Sequence, residues 1–231
     1  LQILINKMVY KIIQLLVNLF TSKKTETINR DLEPQIVVPK EEEVIIDNKK
    51  DKDMGKVSKY VSLAEVTHSN TAISRGLVNI PTEAQLVLIK EVCEKVFDKL
   101  REHTGAPIKI NSVFRGPELN KAIGGSKTSQ HCVGLDPSKR SYGAAMDIDD
   151  YYWRKGINKF NNTEMGDWIR ENLDYDQLIY EKPVNGYSGW IHLSYRPDGK
   201  NRKQNLIFLG GGKYIPYEGN ESIIKNPDLD E

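Results

Sequence analysis

Residues 124–149 read GGSKTSQHCVGLDPSKRSYGAAMDID, and the rest of the chain is organised around this stretch. Gly124 and Gly125 break whatever helix precedes them. His131 follows in a polar loop, and the segment ends in an alternating run. On a strand over residues 145–149, Ala145, Asp147 and Asp149 share one face, and Met146 and Ile148 share the other. An aspartate beside an alanine on one strand face has room in front of it. Far downstream, WIHLSY at residues 190–195 places His192 on a face with Trp190 and Ser194. His131, Asp147 and His192 together read as three ligands of one metal. Three protein ligands and one open position is how a catalytic zinc site is built.

Each residue alone has a plainer reading. A lone strand histidine is usually a core or surface residue. His103 closes a helix, where a cation suits the dipole, and is structural. His68 lies in a polar turn and reads as surface. Cys132 adjoins His131 but lacks the CxxC partner of a thiolate site. Arg115 at a strand end is either solvated or a fork for a substrate carboxylate. Glu181 is either an exposed strand-end acid or a general base, with Asp149 the weaker second choice for that role.

Working outward, Ser62 and Glu65 form a capping box before a short helix, and THSNTA at 67–72 follows as a polar turn. Thr82 and Gln85 cap a long helix whose stripe is Ile89, Val92, Cys93, Val96, Phe97 and Leu100. Gly105 and Pro107 end it. Residues 108–115, IKINSVFR, alternate as a half-buried strand with Ile108, Ile110, Ser112 and Phe114 on one face. A short helix over 118–122 comes next. Asn162 or Thr163 caps another, with Met165, Trp168, Ile169 and Leu173 inward. Residues 176–181 and 189–195 form a hairpin around Pro183 and Gly186, and 206–209 a final strand. Helices with mostly antiparallel strands argue for an α+β fold.

The chain has 231 residues, of which 39% are hydrophobic, enough for one domain with tails. A net charge of +1 with scattered lysines and arginines gives no reason to expect a nucleic-acid partner. Two cysteines make no disulfide scaffold, and Cys93 reads as a buried free thiol. Residues 1–22 are apolar but interrupted by Lys7 and Lys11. They fit an amphipathic helix on a partner, a particle or a membrane surface better than an anchor, and no clear cleavable signal is present. Residues 23–58 alternate blocks of like charge and read as a flexible linker. The domain is expected over 59–211 and a loosely docked tail over 212–231.

Five segments then align with a known pattern: SLAEVTHSNTA, NSVFRGPELNKAIGGSKTSQH, AAMDID, DQLIYE, and GWIHLSY with NRKQ after it. Together, from about residue 60 to 209, they resemble the zinc D-Ala-D-Ala peptidases of the M15 type, most closely the branch found in phages and bacteria. The resemblance implies the small α+β fold shared with the hedgehog signalling domain. It implies Zn2+ held by His131, Asp147 and His192, with Arg115 orienting substrate and Ser129 and Gln130 lining the site. It implies a stem peptide of peptidoglycan as substrate, cut at a bond involving a D-residue by carboxypeptidase or endopeptidase action. It implies a monomeric catalytic domain acting on the cell wall, as in a phage lysis or virion-associated enzyme (an endolysin) or a bacterial cell-wall enzyme. Two departures stand out. The family runs H-x-x-G-x-A-x-D, and here residues 135–144 fill the slot of one residue. Many members carry a glutamate shortly before the last histidine, whereas residues 185–189 hold no acid, leaving Glu181 as the nearest base. An inactive wall-binding module of the same fold is the rival expectation.

Overall fold

In the computed structural model of the chain, residues 55–183 and 187–219 are described. The expected helix over 1–22, nearly all of the 23–58 linker and the end of the expected tail lie outside them. The described chain starts folded: Lys56 bridges to Ser62, and the Ser58 hydroxyl donates to the buried Asp98 carboxylate at 2.9 Å. The end of the expected linker is therefore fastened to the helix that begins at Asp98.

The expected capping box starts α1 (Leu63–Thr67). The polar turn expected at 67–72 instead runs from the last residue of α1 into a second helix, α2 (Asn70–Arg75). Ser69 caps it by accepting from the Ala72 amide at 3.2 Å, buried Ala72 ties it to the core, and Gly76 ends it in the left-handed conformation. Thr82 and Gln85 cap α3 (Glu83–Val92), which passes through a π-helical turn, Cys93–Phe97, into α4 (Asp98–Thr104). The apolar stripe read from the sequence is buried along this whole length, Cys93 included. Each such side chain contributes roughly 1.5–3 kcal/mol by leaving water. Two short helices, α5 (Pro117–Ala122) and α6 (Tyr151–Arg154), precede α7 (Asn162–Asn172). The cap of α7 is Asn161, one residue before the expected pair, because Glu164 completes a capping box with it.

The sheet has six strands: β1 (Lys109–Ser112), β2 (Ala144–Asp149), β3 (Gln177–Glu181), β4 (Trp190–Tyr195), β5 (Gln204–Gly210) and β6 (Lys213–Pro216). Their order is β1-β2-β4-β3-β5-β6. Only β3 and β5 run parallel, and β3 with β4 is the expected hairpin. β5 is not the last strand; the chain turns at Gly211 and Gly212 and adds β6, so the sheet reaches into the segment read as tail. Met146, Ile148, Leu178, Tyr180, Ile191, Leu193 and Ile207 are fully buried on the face that packs on α3 and α7. The fold is α+β, with its core between helices and one face of a mixed sheet.

The strand expected over 108–115 is shorter and irregular. Ile110 pairs with Ile148, but Ser112 pairs with the next residue back, Asp147, so two residues of β1 oppose one of β2. Ile110 and Ser112 therefore belong to opposite faces, not to one. A bulge re-aims the residues after it. Here it sends Ser112, and behind it Arg115, to the face that carries Asp147.

Candidate metal centre

The sheet register assembles the site. Asp147 lies directly opposite His192 in the β2–β4 ladder, and Ile179 of β3 lies opposite His192 on its other side. Directly paired residues share a face, so Asp147, His192 and Glu181 all project from the sheet away from the helical core. Above them is an open cleft of about 710 Å³ bordered by His131, Arg115 and Trp190.

His131 arrives from outside the sheet. It sits in a single 3-10 turn, Gln130–Cys132, whose start is capped by the Ser129 hydroxyl accepting from the His131 amide at 3.3 Å. Its Nδ1 lies 2.7 Å from the Val113 carbonyl oxygen. A carbonyl only accepts, so Nδ1 carries the proton and Nε2 turns a lone pair toward the cleft. Burial pushes this imidazole toward its neutral form, against the pull of Asp147. A neutral imidazole with a free Nε2 is the form that binds a metal.

Three donor atoms converge. His131 Nε2 is 3.1 Å from Asp147 Oδ1 and 3.2 Å from His192 Nδ1, and His192 Nδ1 is 3.0 Å from the same Asp147 oxygen. Three ligands at the usual zinc distances on a tetrahedron stand about 3.3 Å apart. The triangle is therefore nearly one face of such a tetrahedron, and the residues fit a small divalent cation. Burial works to raise the Asp147 carboxyl, but with no ion between them the imidazoles of His131 and His192, when they share a proton with it, hold it well below the usual carboxylate range. The second Asp147 oxygen is held at 2.6 Å by Arg115 Nη2, while Arg115 Nε donates to Ser112 Oγ at 3.0 Å. The guanidinium thus fixes the carboxylate so that Oδ1 alone faces the triangle.

The other named residues fall on and off the cleft. Glu181 borders it, two positions along β3 from the partner of His192. Burial raises its carboxyl to about 7, opposed by His192 and reinforced by Asp147. Asp149 is turned to Arg154 at 2.6 Å and does not border the cleft. Ser129 borders it. So does Gln130, but its amide donates to the Tyr142 carbonyl and to Asp176, each at 2.9 Å, bracing the wall from behind. Cys132 is not among the converging donors. His103 stacks on Trp168 with ring centroids 4.3 Å apart, and His68 edges a separate hollow of about 340 Å³ beside Arg115.

Several contributors were not legible beforehand. The Val113 carbonyl and Ser112 depend on the β1 bulge. Asp176, fully buried, receives both Gln130 and the fork of Arg202. Arg196 holds the loop at residues 135–144 by donating to the carbonyls of Pro137 and Lys139. That its strand ends WIHLSYR was the only hint.

A helix-backed sheet that carries two imidazoles and a carboxylate around one small space has the donor set of a metal centre. Comparison of the sequence narrows the reading. The family described as Peptidase M15 matches residues 59–194, more than half of the chain, and the chain belongs to that family. Among proteins of curated function, none matches it.

Proposed function

We propose that this chain is a zinc-dependent peptidase that hydrolyses the stem peptides of peptidoglycan at a bond involving a D-residue, and so acts on the cell wall. The observation that carries the reading is the triangle of His131 Nε2, His192 Nδ1 and Asp147 Oδ1 on the floor of an open cleft. Membership of the M15 peptidases supports hydrolysis of a peptide bond. The likeness of the site motifs to D-Ala-D-Ala peptidases supports the choice of substrate.

His131, Asp147 and His192 would hold the ion. Zinc in such a place supplies Lewis acidity, which acidifies water and polarises a carbonyl. The protein does the rest. The Val113 carbonyl and Arg115 keep two of the ligands oriented, so little reorganisation is needed when substrate enters. The Glu181 carboxylate accepts a proton from the attacking water and returns it to the departing amine as the C–N bond breaks. Burial raises this carboxyl and the charge of a bound dication would lower it again, so Glu181 would be ionised and able to accept the proton near neutral pH. Arg115 meets no partner for Nη1 among the described residues and borders the cleft, so it can also steady negative charge on the carbonyl oxygen.

The test is metal analysis combined with mass spectrometry of digested muropeptides. Wild type should carry about one zinc per chain and shorten the peptides. His192→Ala should lose both metal and turnover. Glu181→Gln should keep the metal and lose roughly 10²–10⁴-fold in rate. Zinc-loaded wild type that cuts no muropeptide would overturn the reading and favour an inactive wall-binding module.

A further inference from the structure

Among the described residues, four cationic side chains border the cleft: Arg115, Arg140, Lys182 and Arg202. Three are already engaged. Arg115 holds Ser112 and Asp147. Arg202 grips Asp176 through Nε at 2.8 Å and Nη2 at 2.6 Å. Lys182 lies over the Trp190 ring at 5.6 Å. Arg140 is exposed and meets no ion pair, hydrogen bond or ring among the described residues. It stands on the loop at residues 135–144, the segment that departs from the short H-x-x-G-x-A-x-D pattern.

That loop is built rather than merely tolerated. Arg196, 9% exposed, donates to the Pro137 carbonyl at 2.9 Å and the Lys139 carbonyl at 3.0 Å. Asp198 neutralises it at 2.9 Å, and the Tyr142 ring lies 5.2 Å away. Asp136 folds the tip by accepting from the Ser138 amide and hydroxyl at 2.9 and 2.7 Å. The chain leaves and returns through two glycines. A Cβ on Gly134 would stand 2.7 Å from the Ser141 carbonyl oxygen, and one on Gly143 would stand 2.2 Å from that of Tyr195. A buried arginine is tolerated where it is paired and hydrogen-bonded, and Arg196 meets both conditions through Asp198 and the two loop carbonyls, which fixes the loop in place. What the held loop brings to the cleft is Arg140.

We propose that the insertion is a substrate-recognition element in which Arg140 binds a carboxylate of the peptide substrate. The inference rests on the peptidase reading above. Arg140 is the arginine bordering the cleft whose whole guanidinium is open, whereas Arg115 and Arg202 each have part of theirs engaged. Such a fork suits a carboxylate through paired hydrogen bonds. A stem peptide offers that group from two sources, its terminal α-carboxylate and a carboxylate within the chain.

The experiment compares full-length wild type, Arg140→Gln and Arg140→Lys on three synthetic peptides. One is a stem pentapeptide ending in D-Ala-D-Ala with its carboxylates free. The second is amidated at its C-terminus, and the third is amidated at its internal acidic residue. Arg140→Gln should raise KM about 10- to 100-fold on the free peptide with kcat little changed. On the one twin that lacks the recognised carboxylate, wild type and variant should converge, and that twin names the source. Arg140→Lys should recover part of the loss. Equal KM for wild type and Arg140→Gln on every peptide overturns the proposal, as does an equal loss on all three. A wild type that turns over neither these peptides nor muropeptides overturns the parent reading and this inference with it, whereas a wild type active on muropeptides or on these peptides but indifferent to Arg140 overturns this inference alone.

Discussion

Glu181 shows how much one side chain's surroundings decide. Burial lifts its carboxyl from an ordinary 4.5 to about 7, with His192 pulling the other way. A carboxyl raised on folding favours the folded state while protonated. Its contribution is complete below the unfolded pKa and lost as pH rises through the folded one. Metal-stripped protein should therefore lose stability between pH about 4.5 and about 7, by at most about 3 kcal/mol from this group. Thermal melts across that range should show the loss in wild type and not in Glu181→Gln; parallel profiles would contradict the assignment. Asp147 has the opposite sign: its carboxyl is held below the usual range, so its contribution is complete above the unfolded carboxylate pKa and is lost progressively as pH falls below it. Gly143 is a second decisive position. Its φ is +94°, and a Cβ there would collide with the Tyr195 carbonyl. Gly143→Ala should cost about 1–3 kcal/mol in a denaturant titration.

Among the elements, two irregular ones position the chemistry. The bulge in β1 turns Ser112 and Arg115 toward Asp147, and the chain just beyond it offers the Val113 carbonyl to His131. A regular strand through IKINSVFR would keep Ser112 on the face of Ile110, the core face, and the carboxylate would lose its clamp. The loop at residues 135–144 is the other element, and Arg196 is its keystone. Arg196→Gln should release the loop and reproduce the KM defect of Arg140→Gln while leaving metal content unchanged. Combining the two should add little, because both would remove one interaction. Additive losses in the double variant would mean that Arg196 acts elsewhere. Removing one member of this partly buried ion pair should also lower stability by about 1–3 kcal/mol.

The whole domain should report metal binding through its stability, because the three ligands meet only when β2, β4 and the 3-10 turn at Gln130–Cys132 are in place. An ion that binds only the folded chain stabilises it by about 4 kcal/mol at a thousandfold excess over Kd. Zinc should therefore raise the melting temperature by several degrees, a chelator should reverse it, and His192→Ala should not respond. A wild type indifferent to both zinc and chelator would remove the basis for the centre. The sequence by itself determined the α+β class, the apolar stripe of α3 and α4, the β3–β4 hairpin and the identity of the converging side chains, because caps, periodicity and turn residues act within a few positions of one another. The helix at Asn70–Arg75 and the sixth strand carry local signals too, in Ser69, Gly76 and the glycines at 210–212; the sequence did not determine the bulge or the partners of Arg196 and Asp176. Those rest on contacts between segments far apart in the chain, where one strand's register fixes another's, and only the closed sheet decides which of two equally allowed local arrangements survives.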